Sequence, residues 1–414
     1  MMSRCSGLVL SFAFLGTLTA QEWTQFRGPN ATGISEAKGL PVTWTEKDFR
    51  WRVPVPGASH SQPVIWGDKL FITSASKELG QERYLLCYSK EDGKELWRKT
   101  YTQPTHKPGN NGSGFANGSA VVDAERVVAS FVSDAQFNVR AFDHAGKELW
   151  TVNLGTFVSQ HGHGASPILY DGKVIVTNDQ DGPSFVVALD AKTGKTVWKS
   201  PRRPQVQGTA YATPVLLERK GMKPELLFAS QSHGISSLDP KTGAMNWEAK
   251  VFDKRAVASP VVVGNLVFGS CGSGGGGIYL AAVKLGGRGD VSSSHQAYTL
   301  KDKDTAGYVP TPVAVGGRLF LVSDSGFASC IEAATGRIVW RERVGGGFYA
   351  SPVVVEGKIY CVSRDGQVYV WEASEQYSLV GRSPLGEGSH GTPCVDGNRL
   401  YFKTFGHLVC VGGK

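Results

Sequence analysis

The chain has 414 residues, 41% of them hydrophobic and 19% charged, with 52 glycines and a formal net charge of +8. Such a composition excludes a disordered or fibrous chain and fits a turn-dense all-β protein with a large core. The cations are scattered, Arg202-Arg203 being the densest pair, so the charge gives no reason to invoke nucleic acid.

The chain opens with one early cation, Arg4, then an unbroken apolar run from Gly7 to Leu18 and a small residue at Ala20. That run is too short to cross a bilayer and reads as a cleavable secretory signal over residues 1–20. No later stretch is apolar enough to span a membrane, so the expectation is an exported protein of the periplasm or the extracellular space. Residues 21–43 form an N-terminal extension, with Trp23 and Phe26 expected to pin it to the outside of the fold.

Residues 44–414 are dominated by an internal repeat. The segment Gly164 to Trp198 shows one unit: a proline heading a short apolar strand (Pro167), an Asp-Gly turn, a second strand, and a polar Asp/Gly loop. A third strand ending Ala188-Leu189-Asp190 follows, then a Thr-Gly-Lys turn and a tryptophan. Glycine supplies the positive φ that such tight turns demand. The heading proline recurs at Pro63, Pro167, Pro214, Pro260, Pro312, Pro352 and Pro393, with Ala120 in its place once, a spacing of about 47 residues. This counts eight units. The closing aromatic recurs at Trp97, Trp150, Trp198, Trp247, Tyr298 and Trp340. The last unit has only three strands before the sequence stops, and Asp48 to Val53, carrying Trp51, supplies the fourth.

The predicted fold is therefore an eight-bladed β-propeller of four-stranded antiparallel blades, its ring closed by an N-terminal strand that completes the last blade. A proline can head each inner strand because that strand is an edge with no ladder partner on its channel side. The six cysteines beyond the signal (Cys87, Cys271, Cys330, Cys361, Cys394, Cys410) are never closer than 16 residues, so no C-x-x-C pair exists. Cys87, Cys330 and Cys410 align with the small core position Ala188, Cys361 with Val176 and Cys394 with Ile168, so they read as small hydrophobes, with a disulfide between two of them open but not required. The connection Thr102 to Gly114 is the longest irregular stretch between units and reads as a mobile cover or a partner contact.

The tags Ala188-Leu189-Asp190-Ala191-Lys192-Thr193-Gly194 through Trp198, and Glu332-Ala333-Ala334-Thr335-Gly336 through Trp340, resemble the tryptophan-docking repeats of the pyrroloquinoline quinone (PQQ)-like propellers. That superfamily includes quinoprotein dehydrogenases and the non-enzymatic lipoprotein of the bacterial outer-membrane assembly machine. Trp23-Thr24-Gln25-Phe26-Arg27-Gly28-Pro29-Asn30 and Gly286-Gly287-Arg288-Gly289-Asp290-Val291 further resemble exported PQQ-binding-like repeat proteins of planctomycete-type bacteria. A dehydrogenase of this kind would carry a carboxylate-rich calcium site, a catalytic Asp and, in most cases, vicinal cysteines. The sequence has no adjacent cysteines and no carboxylate cluster converging on one blade.

Motifs for chemistry are few. Gly272, Gly274 and Gly277 match G-x-G-x-x-G, but a strand follows them where a phosphate site needs a helix. Asn178 to Gly182 hints at calcium yet lacks the remaining loop ligands and reads as a hairpin. The more informative pattern is positional. Three residues before each heading position stand His60, Asn117, Gly164, Tyr211, Val257, Val309, Tyr349 and His390, with His161 and His163 just ahead in the third unit. The loops between second and third strands add Asp179, His233, Asp324, Arg364 and Lys403 on the same face.

The candidate site is accordingly the channel mouth, with His60, His161, His163, Tyr211, Tyr349, Arg364, His390 and Asp179 as ligand- or partner-binding residues. Two other readings stay open: loops that only bond their own backbone, and a metal held by His161 and His163, which falls short of the three or four ligands zinc wants. The expectation is a monomeric, non-catalytic propeller that binds an envelope protein or a small ligand, with no catalytic residue, no metal and no cofactor. The alternative is a PQQ- and calcium-dependent oxidoreductase with an atypical site.

Overall fold

The structure is a computed structural model that describes residues 23–76, 80–104, 115–204 and 208–413. The signal expected over 1–20 and most of the long connection, 105–114, lie outside the described residues. Eight small sheets follow one another around a ring. The third blade is representative: Ile168–Tyr170, Lys173–Asn178, Ser184–Asp190 and Thr196–Arg202 pair antiparallel in chain order. The other blades span 64–102, 121–153, 215–249, 261–300, 313–343, 353–384 and 394–412. The last is completed by Phe49–Pro54, which pairs antiparallel with His407–Gly412 and sets Trp51 opposite Cys410.

Strand alternation explains the packing between blades. In most blades the fourth strand sends an aromatic residue onto the turn between the third and fourth strands of the next; blade seven has Gly381 in that place. Trp150 Nε1 donates to Ala191 O at 2.9 Å, and a Cβ added at Gly194 (φ 73°) would meet the Trp150 ring at 2.9 Å. Only glycine gives both the left-handed turn and the room for the indole. Trp97, Trp198 and Trp340 donate likewise to His144 O, Pro240 O and Ser374 O, and the Tyr298 hydroxyl to Ala333 O. Trp247 departs from this pattern. Its Nε1 donates to Glu225, and its strand is covered by Gly289–Asp290, which pairs parallel with Trp247 and Glu248. The Gly286–Val291 stretch is thus an outer-edge cover. The six cysteines are buried and free, and Gly272–Gly277 lies in the hairpin joining two strands of the fifth blade.

A ring of hydrogen bonds surrounds the channel. The residue just before each strand-heading position is Ser or Thr in seven blades and Gln62 in the first. Ser119, Ser166, Thr213, Ser259, Thr311 and Ser351 each donate a backbone N–H to the side-chain hydroxyl of the equivalent residue in the next blade, at 2.9–3.1 Å. Gln62 N–H enters the ring by donating to Ser119 Oγ at 2.8 Å. Apart from that of blade seven, inner strands have no sheet partner on the channel side, and these side chains satisfy backbone donors just ahead of them that would otherwise be orphaned.

The N-terminal extension is the main departure from expectation. Residues 23–35 do not lie on the outside; they enter the channel, and only by Val42, which abuts Gly381 of the outermost strand of blade seven, has the chain passed to the periphery. Trp23 O accepts from Ile65 N–H and Thr24 O from Val122 N–H, in blades one and two. The chain turns at Phe26–Gly28, and Ile34–Ser35 runs parallel to Val354–Val355 on the inner edge of blade seven. Arg27, fully buried, clamps the far wall: its guanidinium donates to Pro312 O (2.7 Å), Thr311 O (3.0 Å), Pro352 O (3.4 Å), Thr32 O (3.0 Å) and, from Nε, Ala31 O (3.2 Å). The turn is tight, with positive φ at Arg27, Gly28, Asn30 and Ala31, and a Cβ at Gly28 would stand 2.6 Å from the Trp23 ring. Such backbone strain persists only where surrounding contacts over-determine it. The physical reason for the departure is that inner strands leave unpaired carbonyls around the axis, and one guanidinium satisfies several at once.

Candidate functional site

The plug closes the channel from one face and leaves a cavity of about 330 Å3 at the other, floored by Phe26 and by Thr213, Ser259, Thr311, Ser351 and Thr392 of the hydroxyl ring. All eight residues three positions before the strand heads line it: His60, Asn117, Gly164, Tyr211, Val257, Val309, Tyr349 and His390. His161, Arg255, Gly274 and Tyr308 complete the wall. The repeat geometry causes this convergence, because each inner strand begins near the axis and the preceding loop must descend into it.

Two aromatic walls face the cavity. On one, His60 Nε2 and His390 Nδ1 are 3.1 Å apart, Tyr349 packs on His390 with centroids at 4.8 Å, and Phe405 lies behind His390 at 5.0 Å. Arg364 stacks over Tyr349 at 4.5 Å. On the other wall, the Tyr211 hydroxyl is 3.0 Å from Ser159 Oγ, Arg255 lies over the Tyr211 ring at 5.7 Å, and His161 packs at 6.2 Å. Arg255 also donates to Gln160 Oε1 at 3.0 Å. Burial pushes the Tyr211 and Tyr308 hydroxyls above their ordinary range, with Arg255 pulling the other way.

The remaining expected residues are placed elsewhere. His163 is buried behind the wall against Phe137 and Phe157, its Nε2 3.2 Å from Thr177 O. One residue of separation thus sends the two histidines to different surroundings. Asp179 forms a bidentate pair with Arg202, both contacts at 2.9 Å, and neither side chain reaches solvent. Arg364 reaches the site through Tyr349 and does not line the cavity itself. Of the second-to-third-strand loops, Asp324 accepts the backbone N–H of Tyr308 at 2.7 Å, His233 bonds Glu248 at 2.7 Å, and Lys403 donates to the carbonyls of Thr404 and Phe405. Among the described residues no group of three or more His, Cys, Asp or Glu is arranged to hold a metal.

Phe26, Arg255 and Tyr308 were not among the expected site residues. Arg255 and Tyr308 stand five and four residues before their strand heads, Pro260 and Pro312, so widening the same positional comparison would have found them. Phe26 has no such signal, because it precedes the repeat.

The histidine pair makes a pH prediction. Burial, then the neighbouring His390 and Lys403, lower His60 from its ordinary 6.5 to about 3; burial and Arg364 lower His390 to about 4. The unfolded chain therefore takes up protons first as pH falls, and stability that is complete above about pH 6.5 declines toward pH 4. His163, lowered to about 4 by burial, adds to the slope. Urea midpoints are expected to fall between pH 7 and pH 5, and a His390→Gln variant to show a smaller fall.

These features define a class: an eight-bladed propeller of PQQ-like repeats whose channel is plugged from one side and open as a cavity at the other. The chain belongs to the family described as outer membrane protein assembly factor BamB, whose profile matches residues 42–155, 81–303 and 276–413. Curated relatives are the tetrathionate hydrolase of Acidithiobacillus ferrooxidans, 26% identical over 58% of this chain and 45% of that protein, and BamB of Moranella endobia, 24% identical over 57% and 60%. A polyvinylalcohol dehydrogenase of Pseudomonas sp. is 29% identical over 36% of this chain and 24% of its own. The chain spans about half the length of the curated relatives it matches. Among solved structures, BamB from Moraxella catarrhalis superposes with a TM-score of 0.61 at 19% identity, covering 88% of this chain and 97% of that one. A europium-containing methanol dehydrogenase reaches 0.67 at 12% identity, covering 95% and 98%. At these identities the likeness is one of fold.

Proposed function

We propose that the protein is an exported, non-catalytic propeller that binds a protein partner or a small ligand in the cell envelope through its channel-mouth cavity. The observation that carries the reading is the cavity itself: concave, closed below by the plug, and lined from all eight blades by aromatic, histidine and hydroxyl groups with apolar residues between them. Family membership supports an envelope setting, since a relative and a structural neighbour are both named BamB. Among the described residues no helix is long and apolar enough to cross a membrane.

The residues present do not fit a calcium-bound quinone. Among the described residues the cavity lining contains no Asp or Glu, whereas calcium takes six to eight oxygen ligands with carboxylates prominent among them. The nearby carboxylates of Asp324 and Asp181 already accept backbone N–H groups, from Tyr308 in the first case and from Gly208 and Thr209 in the second.

A photo-crosslinking residue placed at Tyr211, compared with one at Lys192 in a turn on the opposite face, tests the reading in the producing cell. A discrete adduct from position 211 alone is the expected result for a partner protein. Adducts from position 192 alone would move the binding surface away from the cavity. Calorimetric titration with PQQ, with and without calcium, together with an alcohol-oxidation assay, completes the test. Turnover in that assay would overturn the non-catalytic reading.

A further inference from the structure

Each blade ends in an outer strand that has a neighbour on one side only, and a bare strand edge is a template on which another extended chain can pair. The protein covers two of these edges with its own chain. In blade four, Gly289–Asp290 pairs parallel with Trp247 and Glu248, and Val291 N–H donates to Glu248 O at 2.9 Å. In blade seven, Val42 O lies against Gly381, and Trp44 N–H donates to Ser383 Oγ at 2.7 Å. Among the described residues no strand pairs with the outer edges of the other six blades.

Most of those bare edges carry charges or prolines, which keep other strands away. Past the docking aromatic, blade one has Arg98 and Lys99, blade three Lys199 and Pro201, blade six Arg341 to Arg343, and blade eight Arg52 and Pro54. Blade two differs: Trp150 is followed by Thr151, Val152, Asn153 and Leu154, with neither charge nor proline. Its backbone groups are also well aimed. Leu154 N–H donates inward to Phe137 O at 2.7 Å, and Val152 and Trp150 stand opposite Val139 and Ala141. Antiparallel strands alternate the side to which each N–H points, so Thr151 and Asn153 turn theirs outward.

The bulged residue before the aromatic adds an apolar anchor. In blade two it is Leu149, 43% exposed. In blade seven the same position is Val380, and there it packs against the cluster that holds Leu40 and Trp44 of the covering segment. The protein thus uses an apolar residue at this place to seat a chain on the edge. Blade five, whose edge is equally uncharged, has only Ala297 there.

We infer that the outer edge of blade two is a docking site for an extended, uncharged segment of a partner protein, which adds to Glu148–Asn153 as a fifth strand and sets an apolar side chain against Leu149. The rim of the ring is convex, so two whole propellers meet there only along a narrow line, short of the roughly 1,200 Å2 that stable association buries. A slender strand follows the edge and gains main-chain hydrogen bonds along its length. This site is separate from the channel mouth, and the two readings stand or fall independently.

The test uses a short peptide alternating threonine and valine, with a polyethylene glycol tail for solubility, and the same peptide N-methylated at alternate residues. The expected result is saturable calorimetric binding of the first to the full chain, with slowed hydrogen exchange confined to residues 148–154, and no binding of the second. Leu149→Lys is expected to weaken binding by roughly tenfold or more, since it removes the apolar contact and places a charge on the edge. Thr151→Pro removes an outward N–H while sparing the blade's own ladder, and is expected to weaken binding likewise. Should Thr151→Pro fold poorly, Leu149→Lys and the exchange pattern still decide the matter. Protection at another edge, binding indifferent to both substitutions, or no binding of the first peptide would each overturn the inference. A dimer seen in sedimentation and abolished by Leu149→Lys would assign the edge to a second copy of the chain and overturn it as well.

Discussion

Arg27→Ala is expected to lower the unfolding free energy by roughly 3–5 kcal/mol and to make residues 23–35 susceptible to limited proteolysis under conditions where the unaltered chain is resistant. The estimate follows from leaving several buried acceptors without a donor, at about 1–3 kcal/mol each before water re-enters. The acceptors are known: Ala31, Thr32, Thr311, Pro312 and Pro352. Because they belong to the plug and to blades six and seven together, removing one side chain loosens the plug from both blades at once and leaves the Ile34–Ser35 pairing as its tie to blade seven. The cleavage pattern is the informative readout. If the variant is destabilised but residues 23–35 stay as protected as before, the segment is held by Trp23 and the Ile34–Ser35 pairing instead, and the clamp is secondary.

Asp179→Ala is expected to cost about 3–5 kcal/mol as well, for a different reason. It leaves Arg202 fully buried with its charge uncompensated, and breaking such a pair from one side is far more damaging than replacing both members. Among the described residues, Arg202 would keep its hydrogen bonds to Ser230 and Ser236, at 3.2 and 3.1 Å, and its place over the Phe228 ring at 5.2 Å, none of which carries a negative charge. The double variant Asp179→Leu with Arg202→Met is therefore expected to recover most of the loss in chemical denaturation. The crosslinked adduct formed from position 211 in the double variant should match that formed in the unaltered background. A selective loss of binding in a well-folded double variant would return Asp179 to the mouth as a ligand-contacting residue.

These two residues show what could be read from the sequence and what could not. The eight units, their turns and the closing strand were legible because each rests on local chemistry: glycine where φ is positive, proline where a strand has no partner, an aromatic residue where one blade meets the next. The ring of residues three positions before the strand heads was legible for the same reason, since a repeat carries its own geometry from blade to blade. Asp179 was assigned by loop position alone. Alignment places a loop on a face, but it does not say which way a side chain turns, and a partner 23 residues away at Arg202 decides that. The plug was illegible on stronger grounds. Its residues precede the repeat, and the contacts that hold Arg27 join positions 284 and more residues apart. The motif Trp23 to Asn30 was visible as a resemblance, and only the folded ring explains its content. Trp23 packs against Gly28, Phe26 floors the cavity, Arg27 clamps, and Gly28 makes the turn.

An eightfold ring presents any central insert with eight nearly interchangeable orientations. Seven of its positions offer a hydroxyl that already accepts a neighbour's N–H, while Gln62 offers an amide whose Oε1 accepts Arg27 N–H and whose Nε2 donates to Pro393 O. That single irregularity acts as an index mark. It selects one rotational setting of the plug out of eight, and so fixes the compass bearing of Phe26 and Arg27 relative to the two walls above them. A pseudo-symmetric scaffold thereby presents an asymmetric chamber, in which one side is set by Arg255 and Tyr211 and the other by His60 and His390.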